Sequence, residues 1–215
     1  MYLTRMTLNT KLRSTMRAMA SPNLFHGAIE TAFAGERQRN LWRIDRLGEN
    51  SYLLLLSREK PDLTAAVRQF GDAAKAPGWE TKEYAPLLER VQNGSIWHFR
   101  LTANPVRSHM EKVEGHALPE RGTVKAHTSL RFQKEWLMQR AEKNGFSLQE
   151  EEYSVVHSQW YVFRKGNAHK EKVSLFAATY EGVLKVENEE LFREVLMNGI
   201  GRGKAYGLGM LTIVR

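Results

Sequence analysis

The chain has 215 residues and lacks cysteine altogether. This absence excludes disulfides, thiolate nucleophiles and zinc sites built from thiolates. Long apolar runs are lacking as well, since the longest, YLLLL at 52–56, is far too short to cross a bilayer. The opening segment MYLTRMTLNTKLR also lacks the apolar core of a signal peptide. We therefore expect a cytoplasmic protein that does not insert into a membrane.

The charges are unbalanced, with 32 lysines and arginines against 24 aspartates and glutamates, which gives a net charge of +8. Hydrophobic residues make up 42% of the chain and charged residues 26%, the balance of a folded soluble protein rather than a disordered one. The cationic excess predicts an anionic partner, and nucleic acid is the first candidate.

The first half of the chain has the element order β-α-β-β-α-β. A strand-like segment at 1–8 and a polar, cationic stretch precede the helix start SPNLFHGAIETAF (21–33), where Ser21 suits the N-cap and Pro22 the first helical position. Apolar residues recur every fourth position there, which predicts a helix of about three turns. The remaining predicted elements are a hairpin (40–48 and 50–57), a helix (62–71) and a strand (79–84).

The second half repeats this order. The predicted elements are a strand (95–105), a helix (129–145), three strands (147–157, 159–165 and 172–186), a short helix (188–198) and a last strand (210–215). The same order twice is typical of an α+β protein with two tandem ferredoxin-like, or RRM-like, domains. We place the N-terminal domain at 1–88 and the C-terminal domain at 95–215, joined near residues 85–94.

Five glycines lie between the last helix and the last strand, in NGIGRGKAYGLGMLTIVR, at positions 199, 201, 203, 207 and 209. Glycine permits positive φ and close approach of the backbone, which fits two interpretations. In one, Gly201 and Gly203 lie along a phosphodiester backbone that Arg202 and Lys204 neutralise. In the other, the glycines allow tight packing of the last strand against a neighbouring helix. The clustered cations favour the first.

His26 is the candidate catalytic residue. It follows Phe25 at the edge of the apolar stripe of the first helix, where a side chain reaches solvent while packing fixes its helix. An imidazole, with an ordinary pKa of about 6.5, accepts or donates a proton near neutrality. Because RNA carries its own nucleophile, the 2′-hydroxyl, such a transfer is enough to cleave it without a metal. The alternative is a surface histidine without a catalytic role.

The histidines at 109, 116 and 127 do not have the spacing of metal ligands. The glycine-rich segment likewise lacks the spacing of a dinucleotide-binding or P-loop motif. We therefore expect neither a metal nor an organic cofactor.

Two basic segments are candidates for RNA contacts. RKGNAHKEK (164–172) surrounds a Gly-Asn turn signal, which predicts a hairpin with cations on both arms, although a solvated turn is the alternative. The segment 106–127 is predicted to be a long, irregular basic loop, a kind that is usually functional or disordered. The candidate cations are Arg164, Lys165, Lys170 and Lys172 in the first segment, and Arg107, Lys112, Arg121 and Lys125 in the second.

These motifs together resemble the CasE endoribonucleases of type I-E CRISPR systems, in the RAMP superfamily. The resemblance rests on MYLTRMTLN, the SPNLFH helix start, FRLTANPVRS with its basic loop, EGVLKV and GIGRGKAYGLGMLTIV, which span the chain in the same order. It implies two ferredoxin-like domains and metal-independent cleavage of CRISPR repeat RNA at the base of its hairpin. It also implies that the crRNA product stays bound, with the protein as a subunit of the type I-E surveillance complex.

The resemblance assigns individual residues as well. His26 matches the family's catalytic histidine, Lys204 a position that is usually basic, and 164–172 the hairpin that contacts the RNA stem. Family members commonly carry a tyrosine where this chain has Asn23. An amide cannot act as a phenolate base, but it can hydrogen-bond a phosphate or orient the 2′-hydroxyl. Asn23 is therefore a candidate RNA contact, and a non-catalytic CRISPR RNA-binding subunit is the alternative to an enzyme.

Overall fold

The computed structural model describes residues 1–35, 38–72, 77–109, 123–165 and 171–215, and places them in antiparallel sheets flanked by helices. The first part of the chain forms strands β1 (Tyr2–Leu8), β2 (Leu41–Leu47), β3 (Asn50–Ser57) and β4 (Trp79–Glu83), and helices α1 (Arg13–Ala20), α2 (Asn23–Glu30) and α3 (Thr64–Phe70). The strands pair in the order β2-β3-β1-β4.

The second part of the chain forms a larger sheet. Its strands are β5 (Ile96–Ala103), β6 (Val106–His109), β7 (Thr123–Ala126), β8 (Phe146–Ser147), β9 (Tyr153–Lys165), β10 (Glu171–Val186) and β11 (Leu211–Val214), and its helices are α4 (Ala85–Glu89), α5 (Leu130–Ala141) and α6 (Glu189–Asn198). The main sheet has the order β11-β5-β10-β8, with β9 also paired to β10, and β6 pairs with β7 separately.

Both main sheets have the strand arrangement of a ferredoxin-like fold. In the first sheet β1 and β3 lie at the centre, β2 and β4 lie at the edges, and helices follow β1 and β3. In the second sheet β5 and β10 lie at the centre, β11 pairs with β5, and β9 and the short β8 pair with β10; α5 comes between β5 and β9 in the chain, and α6 follows β10. The predicted α+β class with two ferredoxin-like units is therefore confirmed. The exact boundaries at 88 and 95 stay a prediction.

Several local predictions were wrong. The polar stretch before residue 21 contains helix α1, in which Thr15 and Ala18 are buried and the Thr15 hydroxyl donates to the carbonyl of Phe70 at 3.0 Å. Helix α2 has eight residues, little more than two turns rather than the predicted three, and Pro22 occupies its N-cap instead of the first helical position. Ser21 ends α1 instead of capping α2, because its backbone N–H bonds the last carbonyls of α1.

Two predicted connections also differ from the structure. The segments 147–157 and 159–165 are not separate strands, because β9 runs continuously through 158 with a bulge opposite Thr179 and Tyr180. The segment 106–127 is not wholly irregular, since β6 and β7 form an antiparallel pair at its two ends. Residues 110–122 lie outside the described residues.

One of the two apolar cores joins the two sheets. Phe25, Ile29, Leu55 and Phe70 belong to the core between the first sheet and its helices. The second core, around α5 and α6, also includes Leu41 and Leu56 from the first sheet. The first sheet therefore buries one face under its own helices and part of the other against the second unit.

The helices are short, and α5, with 12 residues, is the longest in the described ranges. No helix there combines the length and apolar character that spanning a bilayer requires.

Candidate functional site

A cleft of about 610 Å³ lies between α2 and the segment that follows α6. It is lined by His26, Glu30, Gln38, Arg39, Asn40 and residues 201–206. The fold thus brings the candidate histidine, from near the start of the chain, to the same surface as the glycine-rich segment near its end.

Helix α2 holds His26 at the edge of this cleft. The preceding residue, Phe25, is 1% exposed, and its ring lies against Trp42 and Phe70 with centres 5.9 and 4.9 Å apart. Ile29, one turn later, is equally buried. The His26 side chain remains 23% exposed. Packing therefore fixes the helix while the imidazole reaches the cleft, as its place at the edge of the apolar stripe predicts.

Glu30 lies one helical turn after His26, with its Oε1 3.9 Å from Nδ1 of the imidazole. This distance is too long for a direct hydrogen bond, so the carboxylate and the imidazole are neighbours on the wall of the cleft.

The segment 199–209, called here the glycine loop, is closed at its base by backbone hydrogen bonds. The N–H of Ile200 donates to the carbonyl of Gly209 at 2.8 Å, and the N–H of Gly209 donates to the carbonyl of Thr102 in β5 at 2.7 Å. All five glycines of the loop have φ between 70° and 89°, in the left-handed region that other residues avoid. This backbone turns residues 201–206 toward the cleft.

Gly207 attaches the glycine loop to the first sheet. A Cβ at this position would lie 2.7 Å from Cζ3 of Trp42, which is too close for any other residue. The same Trp42 ring contacts Phe25, the neighbour of His26. Tight packing therefore occurs at Gly207, but against strand β2 rather than between the last strand and a helix. Residues 201–206 line the cleft, and their contact with a phosphodiester backbone stays a prediction.

Lys204 and Arg39 supply positive charge to the cleft. Burial lowers the pKa of Lys204 from its ordinary value, and the nearby Arg39 cation lowers it further. Since the two cations repel each other, an anion that binds between them relieves that repulsion. The cleft is therefore suited to a phosphate group placed beside the imidazole.

Asn23 is the first residue of α2, one turn before His26, but it is not among the residues that line the cleft. Its Oδ1 is buried and has no hydrogen-bond partner among the described residues, although buried polar atoms normally have one. Its role as an RNA contact stays a prediction.

The predicted basic hairpin is formed by β9 and β10, in which Arg164 and Lys172 lie directly opposite each other and are exposed. Like charges in opposite positions of a sheet destabilise it, so an anion bound there would be favourable. Residues 166–170, which include Lys170, and the side chain of Lys165 lie outside the described residues.

The second basic segment is only partly described. Arg107 and Lys125 are exposed and face each other across β6 and β7, and neither lines the cleft. Lys112 and Arg121 lie outside the described residues. In the part of the chain that the structure covers, no group of three or more His, Asp or Glu side chains is placed to hold a metal ion.

The sequence analysis missed four residues that line the cleft beside His26: Glu30, Gln38, Arg39 and Asn40. Glu30 follows His26 at the i, i+4 spacing of helical neighbours, which was a usable signal. The other three lie in the polar segment that leads into β2, and only the tertiary fold shows that this segment faces the glycine loop.

Comparisons with known proteins agree with this architecture. A family model described as CRISPR associated protein matches residues 1–215. The CRISPR-associated endoribonuclease Cse3 of Thermus thermophilus is 29% identical over 226 residues, which cover 99% of each chain.

Two solved structures have the same fold. The structure of CRISPR endoribonuclease Cse3 bound to 19 nt RNA superposes with a TM-score of 0.79, at 24% identity and full coverage of both chains. A chain of a CRISPR RNA-guided surveillance complex, pre-nicking, superposes with a TM-score of 0.67, at 24% identity over 99% of each chain.

Proposed function

Because the chain belongs to the family of CRISPR-associated proteins, we propose that it is a metal-independent endoribonuclease that cleaves the hairpin of CRISPR repeat RNA to give mature crRNA. The resemblance of its motifs to the CasE endoribonucleases supports this activity. So does the relative from Thermus thermophilus, which is named an endoribonuclease and matches almost the whole chain.

The observation that carries the proposal is the cleft itself. His26, Lys204 and Arg39 line one cavity, so an imidazole and two cations reach the same ligand. A proton-transfer group beside a phosphate site is the arrangement that cleavage of RNA by its own 2′-hydroxyl requires.

In the proposed reaction, the 2′ oxygen bonds to the adjacent phosphorus while the bond from phosphorus to the 5′ oxygen of the next nucleotide breaks. His26 accepts the proton of the 2′-hydroxyl or donates a proton to the departing 5′ oxygen. One product then ends in a cyclic phosphate and the other begins with a 5′-hydroxyl. Proton transfer of this kind contributes roughly 10²–10⁴ to the rate.

Lys204 and Arg39 would stabilise the negative charge that the phosphoryl oxygens carry in the dianionic transition state. Their positive charges are fixed before the RNA binds, which is the condition under which electrostatic stabilisation is most effective. An approaching phosphate also favours the protonated form of Lys204, which opposes the lowering of its pKa by burial and by Arg39.

The remaining parts of the proposal concern the partners. Arg164 and Lys172 on the β9–β10 hairpin would contact the RNA stem. The product would stay bound, and the protein would serve as a subunit of the crRNA-guided surveillance complex; the similar chain from such a complex supports this role. A cytoplasmic location fits an RNA transcript as substrate.

The activity is tested with labelled repeat RNA in the presence of EDTA. Wild-type protein should give two discrete products, and His26→Ala should lower the single-turnover rate by roughly 10²–10⁴ while the Kd for RNA stays the same. His98→Ala, which removes an exposed histidine of β5, is the matched control and should cleave normally.

A repeat RNA with 2′-deoxyribose at the cleavage position should bind and remain intact, because it lacks the nucleophile. Normal cleavage of that RNA would refute the mechanism. An intact, shifted band with the wild-type protein and unmodified RNA would instead identify the chain as a non-catalytic RNA-binding subunit.

A further inference from the structure

One end of the cleft-facing part of the glycine loop packs against helix α5. A Cβ at Gly201 would lie 3.2 Å from Cζ2 of Trp136. The guanidinium carbon of Arg140 lies 4.0 Å from the centre of the same ring, and its Nη1 donates to the Trp136 carbonyl at 3.0 Å. Arg140 is therefore fixed beside the loop, and the residue after Gly201 is the exposed Arg202.

Further groups continue this surface along α5. Phe132 precedes Trp136 by one turn, as Trp136 precedes Arg140, so the three share one face of the helix. The Phe132 ring is 47% exposed, and its centre is 5.7 Å from that of His127. Burial lowers the pKa of His127, and electrostatic repulsion by the Arg107 and Arg140 cations lowers it further. We call Arg107, His127, Phe132, Arg140 and Arg202 the α5 patch.

Within the described residues, no acidic side chain pairs with the arginines of the α5 patch. No carboxylate of the described ranges forms an ion pair with Arg107, Arg140 or Arg202. The carboxylate that acts on His127, Glu135, is already bound by Arg131 at 2.8 Å. Two arginine cations that act on the same histidine without an acidic partner in the described ranges favour an anionic ligand.

The contacts at the two ends of the cleft-facing segment indicate the path that an RNA strand would follow across the protein. At one end Tyr206 lies with its ring centre 5.1 Å from that of Phe163 in β9, next to Arg164 on the basic hairpin. At the other end Gly201 lies against α5. A strand that follows the segment through the cleft therefore passes from the basic hairpin to the α5 patch.

We propose that the α5 patch binds the single-stranded RNA that continues beyond the scissile phosphate. This rests on the proposed function, and it adds a second binding site for the same substrate. The arginines contact phosphates, and the exposed Phe132 ring stacks on a base. An exposed aromatic ring binds the face of an unpaired base, which favours a single strand over the side of a duplex as the ligand.

Binding to two RNAs tests this assignment. Both contain the repeat hairpin with 2′-deoxyribose at the cleavage position, and one also has an unpaired extension on the strand that carries the scissile phosphate. The first variant is Arg107→Gln/Arg140→Gln. Because Arg140 packs on Trp136, this change could also disturb the fold. The second variant, Phe132→Ala, alters an exposed side chain and avoids that problem. The control Arg68→Gln/Lys82→Gln removes two exposed charges of the first unit.

In wild-type protein and the control, the extension should lower the Kd by roughly fivefold or more. One stacked base contributes about 1 kcal/mol or more, which corresponds to this factor. Phe132→Ala should lose the stacking part of this gain, about fivefold, without a change in salt dependence. The double arginine variant should lose the phosphate part. For the extended RNA, its plot of log K against log salt should become shallower by about 1.4, which corresponds to two phosphate contacts on a single strand. Binding of the hairpin alone should not change.

The proposal is overturned if both variants bind the extended RNA as tightly as wild type does, or if they lose the same factor for both RNAs. Neither result depends on cleavage, because both RNAs resist it. Failure of the wild-type protein to cut unmodified repeat RNA would instead reject the proposed function.

Discussion

Replacing Arg43 with methionine should lower the free energy of unfolding substantially, because this guanidinium forms hydrogen bonds from the first sheet to the second. Arg43 lies in β2 and is 2% exposed. Its Nη1 donates to the carbonyls of Arg100 and Met210 at 2.8 and 2.9 Å, and its Nη2 donates to the Thr212 hydroxyl at 2.7 Å. Its Nε and Nη2 donate to the two carboxylate oxygens of Asp45 at 2.7 and 2.6 Å. All five N–H groups of the guanidinium are thereby used.

The magnitude follows from what the substitution leaves behind. Removing one partner of a buried ion pair costs about 3–5 kcal/mol. The two carbonyls also lose a donor, at about 1–3 kcal/mol for each group left unpaired. Arg100 offsets part of this cost, since its Nε lies 3.2 Å from the Asp45 carboxylate. We therefore expect a net loss of about 3–5 kcal/mol, and a fall in Tm of roughly 6–20 °C for a chain of this length.

Urea unfolding measures the loss. Arg46→Met, at an exposed position of the same strand, is the matched control and should change little. Arg43→Met/Asp45→Leu removes both charges, and it should recover much of the stability, because apolar replacement of an entire buried pair is often neutral. The reasoning is refuted if Arg43→Met and Arg46→Met unfold at the same urea concentration, or if the double variant is less stable than Arg43→Met.

Two further predictions concern the cleft. Gly207→Ala should destabilise the protein by about 1–3 kcal/mol more than Gly94→Ala, because both positions have nearly the same positive φ but only an alanine at 207 collides with Trp42; equal urea midpoints for the two variants would contradict this. Since burial and Arg39 lower the pKa of Lys204, cleavage should decline as the pH rises through that lowered pKa and Lys204 loses its proton. In Lys204→Arg the charge persists at higher pH, so the alkaline decline of the cleavage rate should move upward, and an unchanged decline would assign it to another group.

The elements with a clear local pattern were predictable. Two narrowly separated strand candidates located the β2–β3 hairpin, and the predicted helix at 188–198 agrees with α6 to within one residue. The edge position of His26 followed from the apolar stripe of its own helix. These features depend on residues within a few positions of one another, so a short window of sequence contains the information.

The cleft could not be predicted in the same way. Its walls come from opposite ends of the chain, and no local pattern indicates that Arg39 faces Lys204 or that Gly207 meets Trp42. The missed helix α1 is a related case, because burial of Thr15 against α3 stabilises a segment whose own sequence is polar.

Strand β2 separates the two kinds of information most clearly. In LWRIDRL the apolar residues alternate with Arg43 and Asp45, which identifies a strand and places the two charged residues on one face. The sequence by itself therefore determined the strand and its faces, and alternation alone would assign the charged face to solvent. Only the tertiary structure decided that this face is buried, because β5 and β11 supply the carbonyl and hydroxyl oxygens that satisfy the guanidinium. Those partners are distant in the chain, and a buried charge is stable only where such partners meet it.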